Sequence, residues 1–130
     1  MSLTELTPNI LVEDMAATLA FYQEVLGFGL VMSVPDSAPF NWAMLKRDEV
    51  VLMFQTRASL AEEIPLFASQ MLGGGLTFYI NVTDIQGLHQ TLAGRVEVVM
   101  PMKTTFYGAQ EFGIRDPNGF VLVFAQSTGE

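Results

Sequence analysis

Moving a proton, an electron or a metal ion calls for a few side-chain types, and this chain is poor in them. It has no cysteine and one histidine, His89, which excludes thiolate nucleophiles, thiolate metal sites and disulfides. No Ser-His-Asp or Cys-His arrangement can be assembled around His89, which falls on the second predicted helix beside its apolar stripe. The adjacent carboxylates Asp48-Glu49 and Glu62-Glu63 fall on a turn and an exposed helix and read as solvated charges, not as an acid/base pair. Gly73-Gly74-Gly75 has no Lys-Ser/Thr pair after it and no strand before it, so it forms a linker and not a phosphate loop. The chain is instead rich in rings and neutral amides. Asn9, Phe40, Trp42, Met53, Gln55, Tyr79, Phe106, Tyr107 and Phe112 form a set suited to holding a small molecule.

The elements that would place these residues come in two copies. At an offset of 70 residues Thr7, Ile10, Val12 and Asp14 lie over Thr77, Ile80, Val82 and Asp84, and Val50–Phe54 lies over Phe120–Phe124. Each copy opens with an alternating strand, with Pro8, Ile10 and Val12 (or Phe78, Ile80 and Val82) toward helices. The opposite face carries Thr7, Asn9 and Leu11, or Thr77, Tyr79 and Asn81. Asp14 and Asp84 then sit at helix N-caps. Met15, Leu19, Tyr22 and Leu26 form one buried helical stripe closed by Gly27; Ile85, Leu88 and Leu92 form another closed by Gly94. Three strands follow each helix, near 29–34, 40–46 and 49–56, then near 96–100, from 109, and 119–126. The modules run from about 5 to 57 and 76 to 126, joined by a linker over 58–75 in which Ser59 and Glu62 form a capping box.

A turn at Arg47-Asp48 predicts Trp42 opposite Met53 and Phe40 opposite Gln55. The same offset puts the second turn at Asp116-Pro117-Asn118-Gly119 and Phe112 opposite Val123, on the mixed face; a one-residue bulge there would turn Phe112 to the other side. Trp42, Phe112 and Met53 either line a pocket or fill a core or dimer seam. Phe106 and Tyr107 either flap over an opening or cover the core. Glu111 either supplies charge at the rim or is exposed or paired with Arg115.

Six Lys and Arg against 14 Asp and Glu give a net charge of −8. Nucleic acid and anionic membrane surfaces are therefore disfavoured partners, and a cationic small molecule is favoured. The longest apolar runs, Val50–Phe54 and Phe120–Ala125, are far too short to span a membrane. The opening residues carry no basic, apolar leader, so a cytoplasmic location is expected.

The order Ile10-x-Val12-x-Asp14, then Leu19-Ala-Phe-Tyr22 to Leu26-Gly27-Phe28, then Asp116-Pro-Asn-Gly119 before an apolar strand resembles the vicinal oxygen chelate superfamily of glyoxalases, bleomycin resistance proteins and extradiol dioxygenases. The resemblance implies an α+β fold: two βαβββ modules in a curved mixed sheet around a cavity, helices on the convex side, as a homodimer. It also implies four metal-ligand positions, which fall here on Thr7, Met53, Thr77 and Val123. Hydroxyl, thioether and hydrocarbon do not make a divalent-ion site, so no metal and no cofactor are expected. The leading function is a metal-free, antibiotic-sequestering binder of a planar or cationic small molecule. Two others stand beside it: a metal-dependent lyase, dioxygenase or thiol transferase, and a structural or regulatory paralogue that binds no small ligand.

Overall fold

The computed structural model describes residues 1–127, which fall into two compact units, Met1–Leu72 and the chain from Gly73 onward. Each has the order β-α-β-β-β and one four-stranded mixed sheet, so the fold is α+β as expected.

In the first unit, β1 (Asn9–Val12) leads to α1 (Met15–Ala20), followed by β2 (Gly29–Val34), β3 (Trp42–Arg47), β4 (Val50–Thr56) and α2 (Arg57–Glu63). The sheet order is β1-β4-β3-β2, with β1 parallel to β4 and the other pairs antiparallel. Asp14 is extended, and its Oδ1 accepts from the Ala17 amide at 3.0 Å, supplying one of the partners that a helix start lacks. Past Ala20 the helix widens into a π-turn over Phe21–Val25, where the Leu26 amide donates to the Phe21 carbonyl at 3.1 Å. Met15, Leu19, Tyr22 and Leu26 all remain buried. Tyr22 stacks edge-on against Phe28 with ring centres 5.6 Å apart, and tilts over Phe54 at 4.8 Å. Gly27 ends the helix at φ +75°, and Arg47 Nη1 donates to the Leu26 carbonyl at 2.7 Å.

Two local expectations change. The β3–β4 turn is Asp48-Glu49, one residue later than predicted, and Asp48 takes the left-handed conformation at φ 51°. A short polar Asp tolerates that conformation better than Arg47 would. Met44 therefore pairs with Met53 and Trp42 with Gln55. The slip is an even number of residues, so every side chain keeps its predicted face. Phe40 precedes β3 and pairs with nothing in the sheet. The second change is at α2, which starts at Arg57; its cap is Thr56, whose hydroxyl accepts from the Ser59 amide, so no Ser59 capping box forms. The α2 helix packs on β1 and β4. Arg57 bonds to Glu13 and to the carbonyls of Phe67 and Gln70, tying down the short 3₁₀ turn Pro65–Ala68.

In the second unit, β5 (Thr77–Asn81), α3 (Ile85–Leu92), β6 (Glu97–Thr104), β7 (Ala109–Arg115) and β8 (Val121–Ser127) give the order β5-β8-β7-β6. Asp84 caps α3 through the Gly87 amide at 3.0 Å, and Gly94 follows it at φ +77°. The β6 strand outruns the expected 96–100 and includes Pro101, which an edge strand with register breaks can hold. Between β7 and β8 the turn is longer than in the first unit: Arg115 pairs with Val121, leaving Asp116 through Phe120 in the loop. Asp116 Oδ1 accepts from the Asn118 and Phe120 amides at 2.9 and 2.8 Å. The offset along β7 thereby becomes 69, and Phe112 pairs with Phe124 instead of Val123. It turns to the helix face, 1% exposed, with its ring edge-on to His89 at 4.9 Å.

Gly27→Ala forces a side chain into a left-handed conformation with its Cβ 3.4 Å from Arg47 Nη1. It should lower unfolding stability by about 1–2 kcal/mol in urea titration. Gly74→Ala, with open space around its Cβ, should show no loss.

Candidate functional site

Each unit gathers polar and aromatic groups on the sheet face where β1 or β5 shows its mixed side. In the first unit this is an open cleft of about 370 Å³ whose lining includes Asn9, Asn41, Trp42, Gln55, Ser59 and Glu63. Gln55 is its centre. The side chain is 4% exposed and fully engaged: Oε1 accepts from Asn9 Nδ2 at 2.9 Å, and Nε2 donates to Ser59 Oγ at 2.9 Å and Glu63 Oε2 at 3.1 Å. A carboxylate accepts and does not donate, so Glu63 fixes which end of the amide faces α2. The Gln55 amide in turn fixes Asn9 and Ser59. Half-buried Trp42 stands across the strand pair from Gln55 and offers an apolar wall. Val34, opposite Trp42 on β2, extends that wall. Met53 lies one step along, opposite Asn9 on β1 and Met44 on β3.

In the second unit the equivalent place holds charge. By register Glu111 occupies on β7 the position that Trp42 occupies on β3, and Tyr79 on β5 the position of Asn9 on β1. Tyr79 and Tyr107 both donate their hydroxyls to Glu111 Oε2. The carboxylate is 4% exposed, whereas the two rings are 50% and 57% exposed. The Tyr107 hydroxyl, then the Tyr79 hydroxyl, hold the Glu111 carboxyl below its ordinary value; burial opposes them and the Lys103 charge adds to them. Each tyrosine is pushed above its ordinary value, first by donating to Glu111 and then by desolvation. The site is thus an ionised carboxylate with two protonated phenols. Phe106, 98% exposed, stands edge-on to Tyr107 with ring centres 5.0 Å apart.

Of the residues predicted to line a pocket, Asn9, Trp42, Met53 and Gln55 share one face in the first unit, and Tyr79 and Tyr107 converge on Glu111 in the second. Phe40 lies outside the strand and Phe112 on the helix face. Arg115 does not pair with Glu111; it approaches Glu97 at 3.9 Å. Glu111, one of whose expected roles was to supply charge at the rim, is a buried anchor instead, and two contributors escaped the sequence reading, Ser59 and Glu63 as supports for Gln55. The signal for Glu111 was the longer Asp116–Phe120 loop; Ser59 and Glu63 become visible only once α2 starts at Arg57.

The positions at which chelating relatives hold a metal do not fit one here. Val123 pairs with Tyr79, Met53 with Asn9, Thr77 is exposed and Thr7 half-buried. No deprotonatable donor or imidazole stands at any of the four, and a divalent ion has nothing with which to replace its water. Among the described residues no three His, Cys, Asp or Glu side chains are grouped as a metal cluster. No helix among them is long and apolar enough to cross a membrane.

The family model of the glyoxalase/bleomycin resistance protein/dioxygenase superfamily matches residues 4–124. Among curated proteins none matches significantly. Many solved structures share the fold. One is a protein of unknown function from Agrobacterium tumefaciens, 22% identical, TM-score 0.81, covering 98% of this chain and 96% of that one. A glyoxalase/bleomycin resistance protein/dioxygenase from Nocardioides is 19% identical, TM-score 0.76, covering 98% and 85%. A family enzyme from Burkholderia phytofirmans is 20% identical, TM-score 0.75, covering 93% and 96%.

A lowered carboxyl stabilises the fold above its unfolded value of 4.5 and loses that contribution as pH falls through the folded value. The wild type should therefore lose more stability than Glu111→Gln between about pH 6 and pH 3, measured by urea unfolding. A raised phenol works in the opposite direction. Tyr79 contributes fully below its ordinary value of 10.0 and loses the contribution as pH climbs through the folded value, so the alkaline fall in stability should be smaller in Tyr79→Phe.

Proposed function

The chain belongs to the glyoxalase/bleomycin resistance protein/dioxygenase superfamily, and from that premise we propose that it is a metal-free small-molecule-binding protein that sequesters a planar or cationic compound without transforming it. The observation that carries this reading is the buried Gln55 network beside Trp42. A fully paired amide holds Asn9, Ser59 and Glu63 in place around an open cleft with an indole wall. Preset polar groups beside an apolar ring favour a flat heteroaromatic compound, whose face packs on the indole while its edge meets fixed donors and acceptors. Ser59 and Glu63 each engage the Gln55 amide and not one another, so their hydroxyl and carboxylate are not set as a nucleophile held against a general base. The hydroxyl, thioether and hydrocarbon at Thr7, Thr77, Met53 and Val123 weigh against a metal-dependent lyase, dioxygenase or thiol transferase. The charge of −8 favours approach of cations.

The working form would be a cytoplasmic homodimer. Exposed Leu30, Val31, Met32 and Val34 on edge strand β2 support self-association.

Trp42 is the only tryptophan, so its fluorescence reports on the cleft. Titration with proflavine, a flat heteroaromatic dye, should quench it to saturation. Trp42→Ala and Gln55→Leu should each weaken dye binding, measured by dye absorbance, by about tenfold, or 1.4 kcal/mol, in a protein that remains folded by circular dichroism. Quenching that never saturates, for this dye and for uncharged tricyclic analogues, would favour the paralogue that binds no small ligand. Unfolding of Trp42→Ala would assign the indole to the core.

A further inference from the structure

Resting on the sequestering role but going beyond it, we infer that the second unit carries a site for a small organic ammonium cation, with the Glu111 carboxylate as counter-charge and the rings of Tyr79 and Tyr107 as walls.

A carboxylate 4% exposed in the middle of a β-strand is an unusual feature to keep. Taking such a charge out of water is costly, and a hydrocarbon of similar size would serve the sheet at least as well. Here two tyrosines, from β5 and from the β6–β7 loop, supply the donors that keep it ionised. Both hydroxyls go to the same oxygen, Oε2. Among the described residues no buried side-chain polar atom lacks a partner, so Oε1, which takes neither hydroxyl, keeps contact with solvent. The negative charge is therefore set in place and still reachable from one side.

The walls select the kind of cation. The phenols stay protonated and point their hydrogens at the carboxylate, so they do not act as anionic metal ligands. One carboxylate and two protonated phenols give a hydrated metal ion too little in exchange for its water. A weakly hydrated ammonium loses little on leaving water and gains from the negative faces of half-exposed rings. Exposed Phe106, edge-on to Tyr107, adds apolar surface at the rim. Lys103 faces Glu111 across the β6–β7 pair. Its ammonium lies on an edge strand in solvent, yet its charge reaches Glu111 and competes with a bound cation.

The test uses the full chain and two probes of nearly equal shape, phenyltrimethylammonium and neutral tert-butylbenzene, titrated while Tyr79 and Tyr107 ring signals are followed by NMR. The wild type should bind the cation about tenfold more tightly than the neutral probe, with both rings shifting. Glu111→Gln should remove that preference, bringing the affinity for the cation down to that for the neutral probe. Lys103→Met, on an exposed residue that does not put the fold at risk, should raise affinity for the cation about two- to fivefold and not for the neutral probe. Equal binding of the two probes by the wild type, or a Lys103→Met variant with unchanged cation affinity, would overturn the site. If proflavine or its uncharged analogues still quench Trp42 while phenyltrimethylammonium is ignored, this site falls and the sequestering role stands. If the cation binds but no planar compound reaches Trp42, the site stands and the reading of the Trp42 cleft as a binding site falls.

Discussion

The turn joining the last two strands of each unit determines which chemistry reaches the mixed face of its sheet. Side chains alternate along a strand, so one residue more or less in the loop exchanges every side chain on one strand for its neighbour. In the first unit the tight Asp48-Glu49 turn puts Trp42 opposite Gln55. In the second the loop Asp116–Phe120, braced by the Asp116 carboxylate, shifts β7 so that Glu111 takes the position of the indole and Phe112 is delivered to the core. A duplicated design thereby presents a ring in one copy and a charge in the other.

What surrounds those two residues follows the same economy. Polar groups are held by other protein groups before any ligand arrives: Gln55 by Asn9, Ser59 and Glu63, and Glu111 by Tyr79 and Tyr107. Preorganised donors and acceptors lose little freedom on binding, which favours recognition. Chemistry asks for more. It needs a group that changes state, and here the carboxylate is stabilised in its ionised form and the phenols in their protonated form. Groups held so far from neutral pH are poor proton shuttles and good binding partners.

The fold was largely legible because its signals are local and repeated. Asp14 and Asp84 announce helix starts, Gly27 and Gly94 announce stops, and the apolar stripes between them are buried where expected except at Leu88, which is half-buried. Alternation along Asn9–Val12 and Thr77–Asn81 gave the correct faces. Turn geometry was harder, since Arg47-Asp48 and Asp48-Glu49 differ only in which residue tolerates a positive φ. The site was half legible for the same reason. Asn9, Trp42 and Gln55 survive an even-numbered slip, whereas Phe112 does not survive an odd one. Ser59 and Glu63 depend on a helix start displaced by three residues from the apparent capping box, a choice that packing on β1 and β4 settles and local sequence does not.

The claim that this protein holds its ligand and leaves it unaltered is tested most directly by recovering the ligand. Proflavine incubated with stoichiometric protein, with and without added zinc, manganese or iron, should come back chemically intact by mass spectrometry, bound one to one and released on denaturation. A metal-dependent product that accumulates beyond the amount of protein present would contradict the account.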